Sequence, residues 1–353
     1  MKTILERSVL RTIAVSLSAL LPLFVYSQTS LPSPPTTDIP PPVSVPTVRV
    51  PTIRVRPVRP NLPGGDNFER SIAVDPNVKL SLCVVSGELK INGWRRNEVR
   101  VLIKGGSELR FRVREKSGDN AMPVWLEATG YDPRQINKAY PDCLWGDEID
   151  IDVPDSASVS IKGQETDTTI DTVKTAEIRV TGGAITLRNI AHGIMASTYD
   201  GDIRVEGSKG AMTLGTSSGR IVVFRAGPAQ IGDSFAAKTT GGMISLQRVE
   251  HRQIEATSIS GAVYYDGDIL SGGTYNLRTT NGSIRVSIPT VSSCLVTASY
   301  GFGTFKSEIP VKTLTEDIHA GPIKSMTAAL GTGANDTTLK LTTNSGNILI
   351  RKQ

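Results

Sequence analysis

One short pattern recurs along the second half of the chain and restricts its fold more than any other feature. A glycine is followed by an aliphatic residue two positions on and a second aliphatic two beyond that. It occurs as Gly183-Ala-Ile185-Thr-Leu187, Gly201-Asp-Ile203-Arg-Val205, Gly219-Arg-Ile221-Val-Val223, Gly242-Met-Ile244-Ser-Leu246, Gly282-Ser-Ile284-Arg-Val286 and Gly346-Asn-Ile348-Leu-Ile350. Gly261-Ala-Val263-Tyr-Tyr265 is a variant, and Gly163 and Gly301 fall in phase with degraded followers. From Gly163 to Gly301 the glycines are 20, 18, 18, 23, 19, 21 and 19 residues apart, a mean of about 20. A second apolar run precedes many of them, as in Ile178-Arg-Val180, Ile194-Met-Ala196 and Tyr275-Asn-Leu277.

Each unit therefore reads strand, glycine turn, strand, loop. A unit of that size cannot bury its own apolar face, but stacked copies can. Stacking places Ile185, Ile203, Ile221, Ile244, Val263 and Ile284 in one interior ladder, with Thr186, Arg204, Ser245 and Arg285 turned outward. Gly183, Gly201, Gly219, Gly242, Gly261 and Gly282 then mark the corners, where the backbone needs positive φ or tight clearance. The expected fold is all-β, a β-solenoid of about 20 residues per coil. A right-handed coil is expected, because the hexapeptide pattern of left-handed coils is absent. The alternative is an antiparallel meander, in which the same runs pair as hairpins.

Four segments follow from composition. Residues 1–27 read as a cleaved secretory signal: Lys2, Arg7 and Arg11 precede an uncharged run from Thr12 to Tyr26, and Val25 and Ser27 suit a cleavage site before Gln28. Residues 28–63 hold 11 of the 21 prolines and read as a semi-rigid linker. Residues 64–153 form a first β region with alternating runs such as Val78–Val85 and Ile149–Val153. Residues 154–353 carry the repeats. The first β region and the stretch 302–337, which interrupts the period, are the expected caps for the ends of the stack. No segment after the signal is apolar enough to span a membrane.

The net charge of +5 comes from the first two segments: +2 in residues 1–27 and +3 in 28–63, leaving 32 basic and 32 acidic residues in 64–353. Nucleic acid is accordingly not an expected partner. Export permits disulfides. One reading joins Cys83, on the face of its strand opposite the aliphatics, to Cys143 and leaves Cys294 free; the other has three buried thiols.

At this point the residues carry a family likeness. Phe68-Glu-Arg-Ser-Ile-Ala-Val74, Ser86-Gly87-Glu-Leu-Lys-Ile91-Asn-Gly93-Trp94, Val99-Arg-Val101 and Val153-Pro154, followed by the glycine-cornered coils, resemble the bacterial exported β-strand-repeat proteins of unknown function, a family whose usual label is putative adhesin. The resemblance covers about residues 64–353 and implies an exported β-solenoid. It brings no catalytic residues with it.

Motifs for chemistry are sparse. Gly215-Thr-Ser217-Ser-Gly219 matches a nucleophile elbow as text, but a strand rather than a helix follows it. His192, His251 and His319 each fall in a polar turn and read as surface residues. Asp200-Gly-Asp202 and Asp266-Gly-Asp268 lack a full calcium-loop pattern. Tyr199, Tyr264, Tyr265, Tyr275 and Tyr300 are the aromatic candidates for stacking on sugar. The expected function is that of an exported, non-enzymatic, adhesin-like module in the periplasm or at the cell surface. It would need no cofactor or metal, and its partner would be an envelope component or glycan. The alternative is a polysaccharide-active enzyme on the same scaffold.

Overall fold

The computed structural model describes residues 66–116, 121–131, 141–317, 323–333 and 336–353. The signal and the linker lie outside the described residues. Within them every regular element is a strand, and no helix is long and apolar enough to cross a membrane.

The first region supplies β1 (Asp66–Ala73), β2 (Lys79–Trp94), β3 (Glu98–Gly106), β4 (Glu108–Lys116), β5 (Pro123–Tyr131) and β6 (Leu144–Pro154). The long β7 (Ser158–Asp171) follows. The repeats then come as pairs, a longer strand before a shorter one. These are β8 (Thr175–Gly182) and β9 (Ile185–Arg188), β10 (Gly193–Asp200) and β11 (Ile203–Lys209), β12 (Ala211–Ser218) and β13 (Ile221–Gly227). They continue as β14 (Phe235–Gly241) and β15 (Ile244–Val249), β16 (Gln253–Ser260) and β17 (Val263–Asp266), β18 (Thr274–Asn281) and β19 (Ile284–Ile288), β20 (Cys294–Phe302) and β21 (Phe305–Ser307). A hairpin of β22 (Val311–Asp317) and β23 (Lys324–Leu330) precedes the last pair, β24 (Thr338–Ser345) and β25 (Ile348–Lys352).

Strand direction decides between the two expected architectures. From β8 to β17 each repeat strand pairs in parallel with the strand two places on, not with its neighbour in sequence. The longer strands form one ladder, β8–β10–β12–β14–β16–β18. The shorter ones form another, β9–β11–β13–β15–β17–β19, in which Ile185, Ile203, Ile221, Ile244, Val263 and Ile284 are successive partners. Parallel pairs require a crossover, and here each crossover is the intervening strand of the other ladder. The repeats are thus stacked turns, and the hairpin meander does not occur in this stretch. The alternating aliphatics of both ladders point into the space between them and join one continuous core.

The first region belongs to the same stack. β7 pairs with β8 through Ser158–Glu165 and with β9 through Thr168–Asp171, so it runs along both ladders. β2 lies in register on β7 from Lys79 to Asn92. Antiparallel strands finish both ends. β4 pairs with β5, and β1 with β3 and β3 with β6, while β5 and β6 sit on β2. At the far end β23 pairs antiparallel with β20, and β22 with β23. The outermost β4 carries Arg110, Arg112, Arg114 and Lys116, charges that discourage pairing with another sheet. Cys83 in β2 is bonded to Cys143, just before β6, with Cα atoms 4.7 Å apart. Cys294 is a free, buried thiol that burial pushes up to about 11.

The glycine corners stack directly on one another. A Cβ on Gly201 would lie 2.0 Å from the carbonyl oxygen of Gly183, one on Gly219 2.0 Å from that of Gly201, and one on Gly242 1.9 Å from that of Gly219. Gly261 and Gly282 repeat the relation at 2.0 and 2.2 Å. Clearance, more than φ, requires glycine here. Gly163 and Gly301 do not take this role, contrary to their phase. The corner of β7 falls at Thr166, whose carbonyl lies against Gly183, and the corner after β20 is Gly303, against the carbonyl of Gly346.

A second ladder accompanies the first. The hydroxyls of Thr198, Thr216, Thr239, Ser258, Thr279 and Thr343 donate to the carbonyls of Gly183, Gly201, Gly219, Gly242, Gly261 and Gly282, at 2.7–3.3 Å. All six are buried. These six corner carbonyls are thereby satisfied, which a buried polar group needs.

Candidate binding face

The stack presents two outward faces of different character. On the longer-strand ladder one row reads Ser197, Gly215, Lys238, Thr257, Arg278, mostly small and polar. On the shorter-strand ladder the corresponding row reads Arg204, Val222, Ser245, Tyr264, Arg285, and the next row reads Glu206, Phe224, Gln247, Asp266. Ser245 was expected to face solvent but is covered, with Val222 and Tyr264 beside it and Gln247 donating to its hydroxyl at 3.4 Å.

Phe224 is the centre of this face. It is half-buried in a shallow depression of about 240 Å³ with Arg204, Val205, Glu206, Val222 and Gln247. Just after β9 and within the last residues of β11, β13 and β15 the backbone enters the left-handed region, at Asn189 (φ 53°), Gly207 (59°), Arg225 (56°) and Arg248 (53°). Arginine is an uncommon choice for that conformation. Here it swings two guanidinium groups from adjacent levels over one ring, 4.9 Å and 6.0 Å from the centroid of Phe224. A third, Arg285, lies 5.2 Å over Tyr264.

Arg225 also meets Glu206 at 3.2 Å. Among the described residues no carboxylate lies within 4 Å of the Arg204, Arg248 or Arg285 guanidinium. Exposed, weakly hydrated guanidinium groups beside aromatic faces suit a ligand that offers both carboxylates and apolar ring faces. Arg204 and Arg285 stand four levels apart, about 19 Å at the spacing of paired strands. That span fits an extended chain better than a single small molecule.

The other sequence candidates are placed as follows. Ser217 is an outward residue of β12 beside the corner Gly219, with a strand after it. His192 is exposed, and His319 lies outside the described residues. Asp202 accepts from the Arg220 backbone and side chain, at 2.8 and 2.7 Å. Burial raises its carboxyl, but those bonds prevail and hold it below its usual range. Tyr265 and Tyr275 are core residues packed edge to face at 5.6 Å, and the Tyr265 hydroxyl donates to the Asp268 carbonyl at 2.6 Å. Tyr300 packs on the core, and Tyr199 is 64% exposed on the longer-strand face.

His251 corrects the surface reading. It is fully buried, with Nε2 2.8 Å from the Gly210 carbonyl, its ring 5.8 Å from Phe235, and no partner for Nδ1 among the described residues. Burial keeps the imidazole below its ordinary range and outweighs the Gly210 bond and the charges of Asp233 and Glu250. A neutral buried histidine stabilises the fold above about pH 6.5, where the unfolded chain is neutral too, and that stability is lost as pH falls below it. The urea midpoint of the wild type is expected to fall between pH 7.5 and 5, and His251→Gln should flatten that dependence. Identical pH profiles would show that the ring is not held neutral.

The repeat pattern marks Arg204 and Arg285 as outward, whereas Phe224, Arg225 and Arg248 lie beyond its second aliphatic residue. The signal was available: continuing the alternation one step past Val223 makes Phe224 the next outward residue. The hydroxyl ladder had a signal as well, a Thr or Ser three residues before most corner glycines.

No family model matches the chain, and no curated protein matches it. Two solved structures do, each at 12% identity and a TM-score of 0.25. One is described as a putative cell adhesion protein from Clostridium sporogenes, covering 82% of this chain and 100% of that one. The other is described as a putative lipid binding protein from Parabacteroides distasonis, covering 81% and 98%.

Proposed function

We propose that this chain is an exported, non-enzymatic interaction module of the cell envelope or surface, adhesin-like in role, that holds an extended anionic glycan along its shorter-strand face. The observation that carries this is the row centred on Phe224, where Arg225 and Arg248 lie over the aromatic ring, Arg204 lines the same depression, and among the described residues Arg204 and Arg248 have no carboxylate within 4 Å. Sugar rings would stack on Phe224 and Tyr264 while their carboxylates pair with the guanidinium groups. The signal at 1–27 would export the chain, and the linker at 28–63 would hold the face away from whatever the N-terminus meets. The coil is read as right-handed, because parallel strands of one sheet joined by a crossover almost always take that hand.

The test incubates the secreted protein with immobilised polygalacturonate, neutral dextran and peptidoglycan, scoring retained protein and released sugar fragments in the same tubes. Retention on polygalacturonate alone, with no fragments, is the expected result. Release of fragments would replace the module by the polysaccharide-active enzyme. Equal retention on dextran and polygalacturonate would remove the role of the arginines.

A further inference from the structure

The far end of the stack departs from chain order. β20 and β21 follow β19 in sequence, yet they do not sit on β18 and β19. The C-terminal pair lies between them, with β24 paired to β18 on one side and β20 on the other, and β25 to β19 and β21. The two sides of this slot are already in register with each other. Leu277 and Ala298 both face Leu341, and Ile284 and Phe305 both face Ile348. Each of those flanking pairs is 21 residues apart, as are Gly282 and Gly303. That offset falls among the spacings of the other repeats, so β20 and β21 have the register of the next turn, and the C-terminal pair is an insert.

The insert brings everything a turn needs. Thr343 donates to the Gly282 carbonyl at 2.9 Å, and Gly346 lies against the same carbonyl. Leu339, Leu341, Ile348 and Ile350 are fully buried. The backbone bonds run both ways, Gly282 and Ile284 donating to Ser345 and Asn347, and Gly346 and Ile348 donating to Phe302 and Thr304. None of these contacts requires the inserted pair to come from the same chain. In chain order both sides of the slot are made first, and the insert follows the β22–β23 hairpin across seven residues, 331–337. Seven residues span up to about 23 Å when extended.

We propose that β24 and β25 exchange between copies of this chain, each copy filling the slot of the other to give a two-fold dimer. The occupant is a second copy because the insert matches both sides of the slot at every buried position, and an exchanged pair makes the same contacts as a resident one. Tethering favours the chain's own insert in dilute solution, so exchange grows with the concentration at which the slot last closed. A dimer would present two binding faces in one particle.

The test uses two full-length chains, one carrying Arg278→Cys and the other Thr342→Cys. These positions are outward partners across β18 and β24, so between different chains they become neighbours only on exchange. The two are mixed, unfolded in denaturant without reductant, refolded at low and high concentration, and treated with a short bis-maleimide. A double variant carrying both changes in one chain, crosslinked within itself, verifies that the positions remain adjacent. The expected result is a crosslinked heterodimer that increases with refolding concentration. Its yield should exceed several-fold that of the out-of-register pair Lys238→Cys and Thr342→Cys. Monomers alone at every concentration, or equal yields for the two pairs, would overturn the proposal.

Discussion

Gly242→Ala is expected to leave the protein unfolded or largely insoluble. The new methyl carbon would lie 1.9 Å from the Gly219 carbonyl oxygen, and that oxygen belongs to backbone held in place by the turns on either side. Nothing at the end of a flexible side chain can yield, so one level must shift away from the next. In a stack each level is stabilised chiefly by its two neighbours, and Gly242 sits near the middle, so the damage reaches both. A loss above about 4 kcal/mol belongs to the rare class of point changes that break a packed arrangement. Gly215→Ala is the internal control. Nothing lies within 4 Å of a Cβ there, so its midpoint should stay within about 1 kcal/mol of wild type or rise slightly. Denaturant unfolding of the two variants side by side checks the claim. A Gly242→Ala protein as stable as Gly215→Ala would mean that the corners do not stack.

Removing the disulfide should have the next largest effect. Cys83 and Cys143 are 60 residues apart, and the bond ties the long β2 to the start of β6. In the chain-entropy description, closing a loop of that length contributes about 4 kcal/mol. Because β5 and β6 both rest on β2, the loss falls on the capped end of the stack, not on the repeats. The double variant Cys83→Ala/Cys143→Ala is therefore expected to expose β3–β6 to hydrogen exchange first, while β10–β18 keep their protection. Uniform protection equal to wild type would show that the bond adds nothing to the cap.

The legibility of this molecule follows from which interactions repeat. The aliphatic ladder was readable because Ile185, Ile203, Ile221 and Ile244 recur at the same step from a glycine, and a buried position repeated on every turn leaves a periodic mark. The parallel direction was not readable from the same residues, since hairpins bury the same alternation; only the pairing of β9 with β11 rather than β10 decides it. The corner at Gly303 was missed because Gly301 stands two residues away with no isoleucine after it to choose between them. His251 misled because it sits between Glu250 and Arg252, yet its ring turns inward beside Phe235 and covers the Gly210 carbonyl. The insertion of β24 and β25 leaves no local mark, for their pattern fits any slot in the stack. The binding face was half legible. Outward residues are free to vary, so Phe224 and Arg248 stand out only once adjacent levels bring them together.

The most direct test of the central claim is an equilibrium binding isotherm on immobilised polygalacturonate at low and moderate salt. Three proteins would be compared: wild type, Phe224→Ala/Arg248→Ala, and the opposite-face pair Lys238→Ala/Arg278→Ala. Wild-type affinity should fall with added salt, since the charges are exposed and screened. The Phe224/Arg248 variant should bind at least about tenfold more weakly, a loss of about 1.4 kcal/mol, while the opposite-face variant stays close to wild type. Equal affinity in all three proteins would contradict the assignment of the face.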